Sequence, residues 1–284
     1  MPCPVALAAC TLSKANKVSS LEISSPTNQT IKDLVRLKDR KGPWAEGTFL
    51  VEGDREIRRA IQSKFELEQI FFCRDLILSN AAAIDRSSQA KEIFISREAF
   101  AKVATRDSSD GVLAVFRTRT WTTDSILPKA PNKPLLILAV EDIEKPGNLG
   151  AILRTADAAG VDAVVALGKA VDLWNPNVVR ASLGGVFSVP TIFAENETFR
   201  QWCRKKNIRL VGAALHQKSK SLYKTSLINS VAIVLGSEAH GLSNYWLESS
   251  DDLAVVPMQG VCDSLNVSVA AALFAYEAVR QRNT

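Results

Sequence analysis

Six short apolar runs in the C-terminal half of the chain restrict its fold more than any other feature. Segments compatible with helices separate most of these runs, which cover residues 135–140, 163–167, 189–193, 209–213, 231–235 and 253–256. A strand that is apolar on both faces must be covered on both faces, and intervening helices provide the crossovers that parallel strands need. This half is therefore predicted to be α/β, with a parallel sheet between two layers of helices.

The N-terminal half predicts a smaller α/β unit. Helix-like segments near 31–40 and from Asp54 alternate with predicted strands at Thr48–Glu52, 67–73, 92–96 and 111–116. Residues 127–134 then break the pattern with Pro, Lys and Asn, which is typical of a stiff linker. The predicted divisions are a tail (1–25), a small α/β domain (26–120), a linker (121–134) and a larger domain (135–284).

Composition restricts the class of protein further. The formal net charge is +5, which suits a polyanionic partner but is common among other proteins. The five cysteines are scattered without a C-x-x-C pair, so no zinc site, no disulfide framework and a reducing, cytoplasmic compartment are expected. No apolar run approaches the roughly 20 residues that cross a membrane. Residues 1–25 are Ser-rich with few acids, which fits either a disordered tail or an organellar transit segment.

Three polar loops follow predicted strands, and the first spans residues 141–148. It leads into a helix that should begin with Asn148 as the N-cap and end near Gly160. Gly150 and Arg154 share one face of this helix, beside the strand end where α/β proteins bind ligands. Neither a G-x-G-x-x-G nor a Walker pattern occurs, which disfavours a nucleotide-dependent oxidoreductase and a triphosphatase.

The second and third loops carry small and hydrogen-bonding residues. Two glycines bracket residues 236–241, so the backbone there can approach a ligand closely. In the third loop, Ser264 and Asn266 either cap the terminal helix or belong to a site, and Cys262 has no basic neighbour to make it a nucleophile. His216 and His240 are interpreted as surface or RNA-contact residues. The terminal helix, 267–279, is apolar nearly all round, which favours a subunit interface.

The loops resemble, in order, the three motifs of the SpoU (TrmH-like) branch of the SPOUT RNA methyltransferases. The matching segments are residues 148–154, residues 235–242, and residues 256–258 with 264–268; residues 180–185 fit the family as well. Residues 31–116 are similar to the L30e-like substrate-binding domain that often precedes this catalytic domain. The resemblance implies a C-terminal SPOUT domain with a deep trefoil knot, acting as a homodimer. It also implies methyl transfer from S-adenosyl-L-methionine to a ribose 2′-hydroxyl of structured RNA, ribosomal RNA before transfer RNA.

The motifs also imply roles for individual residues. The catalytic set would be Asn148, Arg154, Glu238, Ser264 and Asn266. The cofactor set would be Leu235, Gly236, Gly241, Val256, Met258 and Leu265. No metal and no membrane are expected. Arg154 could act as a base or as a clamp on an RNA phosphate, and both roles stay open. The alternatives are the same chemistry on transfer RNA, or a non-catalytic RNA- or ribosome-binding protein that retains the fold.

Overall fold

A computed structural model of the chain describes residues 21–40, 47–77, 90–106, 109–126, 128, 133–237 and 240–283. Its strands are β1 (Leu21–Ile23), β2 (Thr48–Glu52), β3 (Leu67–Phe72), β4 (Lys91–Ile95), β5 (Val112–Arg117), β6 (Leu136–Ile143), β7 (Ala163–Ala170), β8 (Thr191–Ala194), β9 (Arg209–Ala213), β10 (Lys220–Ser221), β11 (Val231–Leu235) and β12 (Asp252–Val255). Its helices are α1 (Gln29–Lys38), α2 (Asp54–Gln62), α3 (Arg97–Val103), α4 (Pro146–Ala158), α5 (Pro176–Ser182), α6 (Gly185–Ser188), α7 (Asn196–Lys205), α8 (Asn244–Ser249) and α9 (Val267–Arg282). Short 3₁₀ turns occur at Thr123–Ser125 and Leu222–Lys224.

The first sheet is mixed, with strand order β1-β4-β3-β5-β2. Helices α1 and α3 contribute apolar side chains to the core on one face of this sheet. Strand β1 pairs in parallel with β4, although it lies within the predicted tail. The first sheet therefore includes three residues of the predicted tail, because they pair with a strand far away in sequence. The rest of that tail, residues 1–20, and linker residues 127 and 129–132 lie outside the described part.

The second sheet confirms the prediction from the apolar runs. All of its strand pairs are parallel, in the order β10-β12-β9-β11-β6-β7-β8. Side chains of α4 and α9 pack on one face, and side chains of α7 and α8 pack on the other. Strand β10 was not predicted, because it is only two residues long. The knot implied by the resemblance is not defined by strand order, and it stays a prediction.

Helix α4 begins earlier than predicted. Lys145 is its N-cap and Pro146 its first residue, so Asn148 lies in the first turn and is not the cap. Proline is favoured at the first helical position because its fixed φ fits the helix and its missing N–H has no partner to lose. The other end agrees with the prediction, since Gly160 adopts a left-handed φ of 66° directly after the C-cap.

Five aromatic residues form an interface between the two sheets, called the aromatic interface below: Phe49, Phe65, Trp121, Trp174 and Phe187. The rings of Phe49 and Trp174 stack with centroids 4.3 Å apart, and Phe65 meets Phe187 edge-on at 5.4 Å. An ion pair crosses the same interface, between Arg40 and the buried Asp172. Burial raises the pKa of the Asp172 carboxyl. The second face of the first sheet therefore shares one hydrophobic core with α4, α5 and α6.

The part of the chain that the structure describes contains neither a helix that could span a membrane nor a cluster of metal-binding side chains. None of its helices is both long and apolar enough to cross a bilayer. Nor do its histidines, cysteines and carboxylates form a group of three or more that could hold a metal ion.

Candidate active site

The carboxyl ends of four neighbouring parallel strands, β12, β9, β11 and β6, bring their following loops to one edge of the second sheet. These loops and α9 enclose a cavity of about 690 Å³. That volume is within the range of small-molecule sites, and the position is the usual one for ligands of α/β proteins.

The residues of the predicted cofactor set all line this one cavity: Leu235, Gly236, Gly241, Val256, Met258 and Leu265. Ser264 and Asn266 of the predicted catalytic set line it as well. Residues 213–215, at and just after the end of β9, and Ala270 and Phe274 of α9 were not predicted. Residues 213–215 could have been found from their place after a predicted strand, whereas the α9 contacts depend on how that helix packs.

The loop after β11, residues 236–242, depends on glycine at two positions. A Cβ on Gly236 would lie 2.0–2.3 Å from backbone atoms of Gly241 and Leu242, so no side chain fits there. Ser237 and Gly241 exchange two backbone hydrogen bonds, of 3.1 and 2.9 Å, which close the loop on itself. Gly241 has a φ of 66°, a left-handed conformation that favours glycine. Glu238, predicted to be catalytic, lies outside the described residues.

Asn266 joins the first and third motifs. Its side-chain oxygen accepts hydrogen bonds from the Ser268 backbone N–H (2.9 Å) and hydroxyl (2.7 Å), which caps α9. Its Nδ2 donates to Oδ1 of Asn148 at 3.2 Å. The capping role and the site role of Asn266 are therefore compatible. Ser264 is exposed at the mouth of the same cavity.

Arg154 is exposed on α4, outside the lining of the cavity. Within the described part of the chain, no hydrogen bond or ion pair holds its guanidinium. Its helix is closely packed, because a Cβ on Gly150 would lie 2.5 Å from the Cβ of Ala181, and one on Gly185 would lie 2.6 Å from the carbonyl oxygen of Leu153. The backbone of Arg154 is thus fixed while its charged group is available to a polyanion.

Helix α8 follows the 236–242 loop and is tied to α7 by a carboxylate. Glu197 accepts hydrogen bonds from the Tyr245 hydroxyl at 2.6 Å and from Arg200 at 2.8 and 3.0 Å. The hydrogen bonds from Arg200, followed by that from Tyr245, lower the pKa of Glu197 to about 2. Burial, and secondarily the hydrogen bond to Glu197, raises the pKa of Tyr245.

The described cysteines and histidines agree with the sequence analysis. Burial raises the pKa of the Cys203 thiol to about 12, whereas Cys262 is exposed beside the cavity. Both histidines are exposed, as predicted, and His240 also lines the cavity.

The cavity fits a nucleoside-bearing cofactor by its chemistry. Leu235, Val256 and Leu265 provide apolar surface for a flat base, and the loops after β11 and β12 bring backbone polar groups to the same space. The close approach at Gly236 leaves that backbone uncovered by side chains.

Comparison with known proteins agrees with this site. Residues 135–276 match the SpoU rRNA Methylase family, and residues 28–114 match the MRM3-like substrate binding domain. The 23S rRNA (guanosine(2553)-2'-O)-methyltransferase RlmP of Bacillus subtilis is 31% identical over 255 residues, which cover 90% of this chain and 98% of that protein. The 23S rRNA (guanosine-2'-O-)-methyltransferase RlmB of Bordetella pertussis is 40% identical over 61% of this chain and 71% of its own.

Solved structures give the same result over the whole fold. A crystal structure of an RNA 2'-O ribose methyltransferase superposes with a TM-score of 0.79 and 39% identity, covering 93% of this chain and all of that one. The SpoU methyltransferase AviRb of Streptomyces viridochromogenes, solved in complex with AdoMet, has a TM-score of 0.79 and 26% identity over 90% of this chain and 99% of its own. The strand order, the cavity and these matches together show that this chain belongs to the SpoU rRNA methylase family.

Proposed function

We propose that this protein transfers a methyl group from S-adenosylmethionine to a ribose 2′-hydroxyl of ribosomal RNA. The observation that carries the proposal is the cavity at the carboxyl edge of the second sheet, lined by every residue of the predicted cofactor set. The Asn266–Asn148 contact borders this cavity, and Arg154 is exposed on the helix that carries Asn148. The names of the relatives, both 23S rRNA 2′-O-methyltransferases, support the choice of reaction and of RNA.

The protein does not have to activate the methyl group, because the sulfonium of bound S-adenosylmethionine is already an activated methyl donor. The residues of the chain must align the ribose hydroxyl and assist the departure of its proton. We assign Arg154 to a contact with an RNA phosphate, since a guanidinium rarely gives up its proton and this one is exposed. Asn148, Ser264 and Asn266 would orient the ribose, and proton abstraction by Arg154 is the alternative role.

We place the RNA along three exposed arginines: Arg59 of α2, Arg154 of α4 and Arg180 of α5. A Cβ on Gly184 would lie 2.4 Å from Cδ of Arg59, so this first-domain side chain lies against the segment that packs on α4. Its neighbours Arg55 and Arg58 pair with Glu56 and Asp54, whereas no ion pair engages Arg59 in the described part of the chain. Phosphates on this path would therefore contact both domains.

The choice of RNA is tested in cells. Mapping of 2′-O-methylation in ribosomal and transfer RNA, with and without the gene, should show one nucleotide of the large ribosomal RNA losing its methyl group. Loss of a transfer RNA methyl group would support the alternative substrate. A methylation map that does not change at all would support the non-catalytic alternative.

We further propose that two copies of the chain associate through α9. Val269, Leu273 and Tyr276 are spaced along one face of this helix and are 47%, 37% and 51% exposed, although the opposite face is buried. The exposed Val261 and Leu265 extend this surface towards the cavity. A second copy that presents the same apolar stripe is a self-complementary partner for it.

Substitution of Leu273 by Asp tests the dimer. The added charge should give a monomer by light scattering at micromolar concentration. Phe193→Asp is the control, because Phe193 is 44% exposed on β8, the outermost strand of the sheet, whereas α9 packs on β6 and β11. If Leu273→Asp leaves the mass unchanged, or if the wild-type protein is a fully active monomer, this surface is not the interface.

The proposed reaction requires neither a metal ion nor a membrane. We expect methyl transfer to continue in the presence of EDTA, because the sulfonium needs no Lewis acid. A cytoplasmic location, where ribosomal RNA would be available, stays a prediction.

A further inference from the structure

A buried carboxylate holds Ser243, the residue that directly follows the cavity-lining Leu242. Glu141, on β6, is 4% exposed and accepts three hydrogen bonds. Two come from Ser243, through its backbone N–H at 2.9 Å and its hydroxyl at 2.7 Å. The third comes from Nδ2 of Asn196, the first residue of α7, at 3.2 Å. Within the described residues, no lysine, arginine or histidine forms an ion pair with Glu141.

Ser243 connects this carboxylate to the cavity. It follows Leu242 at the end of the loop, whose residues Gly236, Ser237, His240, Gly241 and Leu242 line the cavity. Ser243 also occupies the N-cap position of α8, yet its side chain makes no capping hydrogen bond. Its hydroxyl donates to Glu141 instead. A residue type that normally caps a helix is used here to fix the end of the loop.

We propose that Glu141 is a positioning residue for the cofactor, acting through Ser243 on the position of residues 240–242, which line the cavity. These three residues directly precede Ser243, and Glu141 holds Ser243 by two hydrogen bonds. An ionised carboxylate accepts only, so it can take hydrogen bonds from both Ser243 groups and from Asn196 at once. A methionine at this position has a similar length, but its thioether is only a weak acceptor. The Ser243 backbone N–H, the Ser243 hydroxyl and the Asn196 amide would then lose their acceptor, and residues 240–242 would shift away from the cavity.

A matched site in the first domain separates positioning from general stability. Glu52, on β2, is 6% exposed and accepts hydrogen bonds from the backbone N–H of Thr105, at 2.7 Å, and from its hydroxyl. Glu52 and Glu141 thus have the same chemistry towards a hydroxyl-bearing residue. Only Glu141 supports a loop that lines the cavity. The variants Glu141→Met and Glu52→Met remove the acceptor at each site, and both should lower the unfolding temperature.

Affinity for S-adenosylmethionine distinguishes the two variants. In calorimetry, Glu141→Met should weaken binding by about tenfold or more, the effect of buried donors left without an acceptor. Glu52→Met should bind the cofactor as the wild type does. In steady-state assays, Glu141→Met should raise KM for the cofactor while kcat at saturation stays within about twofold. Unchanged cofactor affinity in Glu141→Met, or an equal loss in both variants, would overturn the proposal.

A milder substitution keeps the test valid if Glu141→Met does not fold. Ser243→Ala removes one hydrogen bond to Glu141 and retains the backbone N–H, so an intermediate loss of cofactor affinity is expected. Wild-type affinity in Ser243→Ala would then contradict the proposal. The inference rests on the proposed cofactor site. Binding of S-adenosylmethionine to the wild-type protein distinguishes a failure of the proposed function from a failure of the role of Glu141. A wild-type protein that binds no S-adenosylmethionine refutes the function itself, whereas normal wild-type binding with unaffected variants refutes only the role of Glu141.

Discussion

Gly241 and Gly160 form a matched pair of residues for testing the cavity. Both have a φ of 66°, and a Cβ on either would meet no atom within 4 Å. Valine should therefore strain the backbone at each position by a similar amount, about 1–3 kcal/mol. Only Gly241 lines the cavity. We expect Gly241→Val to abolish binding of S-adenosylmethionine in calorimetry, and Gly160→Val to retain it at a similarly reduced stability. Normal cofactor affinity in Gly241→Val would place the cofactor elsewhere.

Arg154 should be required for methyl transfer but not for cofactor binding. Its side chain is exposed and outside the cavity lining, so Arg154→Ala should reduce turnover by about 100-fold or more while the affinity for S-adenosylmethionine stays near wild type. Arg36→Ala is the control, because Arg36 is an exposed arginine on α1 that pairs with Asp33. Wild-type turnover by Arg154→Ala would remove this residue from the site.

The variant Arg154→Lys separates the two roles of Arg154. A lysine loses its proton more readily than a guanidinium but cannot make a bidentate contact with phosphate. Near-complete loss of turnover at every pH, with weaker RNA binding, is expected for the phosphate contact. Substantial turnover that rises with pH would favour proton abstraction.

Individual residues were predictable where a local rule acts on them. The cofactor set could be named only from the resemblance to the SpoU family, whereas Asn266 could be named as a cap because an asparagine before an apolar helix is a good cap. Asn148 was wrongly predicted as a cap, since Pro146 competes for the start of the same helix. The contact between Ser243 and Glu141 could not be predicted, because it joins residues that are far apart in sequence.

The contact between helices α7 and α8 should weaken in acid. The pKa of Glu197 is lowered to about 2 from its ordinary value of 4.5, so its interactions with Arg200 and Tyr245 stabilise the fold fully above pH 4.5. That contribution is lost as the pH falls from 4.5 towards 2. Denaturation of the wild type and of Glu197→Gln should therefore differ at pH 6 and converge near pH 2. A difference that is constant over this range would contradict the role of the charged carboxylate.

Elements were predicted well where their burial is uniform. The strands of the second sheet are apolar on both faces, so their positions could be read directly, with shifts of up to three residues at their ends. Strand β1, strand β10 and helix α6 were not predicted. Each is four residues or shorter and depends on a partner distant in the chain.

The aromatic interface should make the described molecule unfold as one unit. Trp174 is almost completely buried against Phe49 and Phe65, so Trp174→Ala should cost about 3–5 kcal/mol of unfolding free energy. We expect one cooperative denaturation transition in the wild type and two in this variant, followed by fluorescence and circular dichroism. Two separate transitions in the wild type would show that the sheets are energetically independent. For the same reason, deleting the first domain should destabilise the second.

The organisation of the whole molecule was only partly predictable. The apolar pattern indicates a parallel sheet, but it contains no information on the order of its strands. A Pro-containing linker suggests two separate cores, whereas aromatic residues from both halves share a single core. Each of these rings would fit a core of its own half equally well by sequence alone. The fold and cofactor class were predictable from the resemblance, which spans both halves of the chain.

The most direct test of the account is the chemical identity of the methylated nucleoside. Purified protein, S-adenosylmethionine labelled in its methyl group and unmodified large-subunit ribosomal RNA should be incubated without added metal, and the RNA then digested to nucleosides. The label should be found in a single 2′-O-methylnucleoside, and Arg154→Ala should remove it. Label on a base, or no transfer to RNA by a protein that binds the cofactor, would contradict the account.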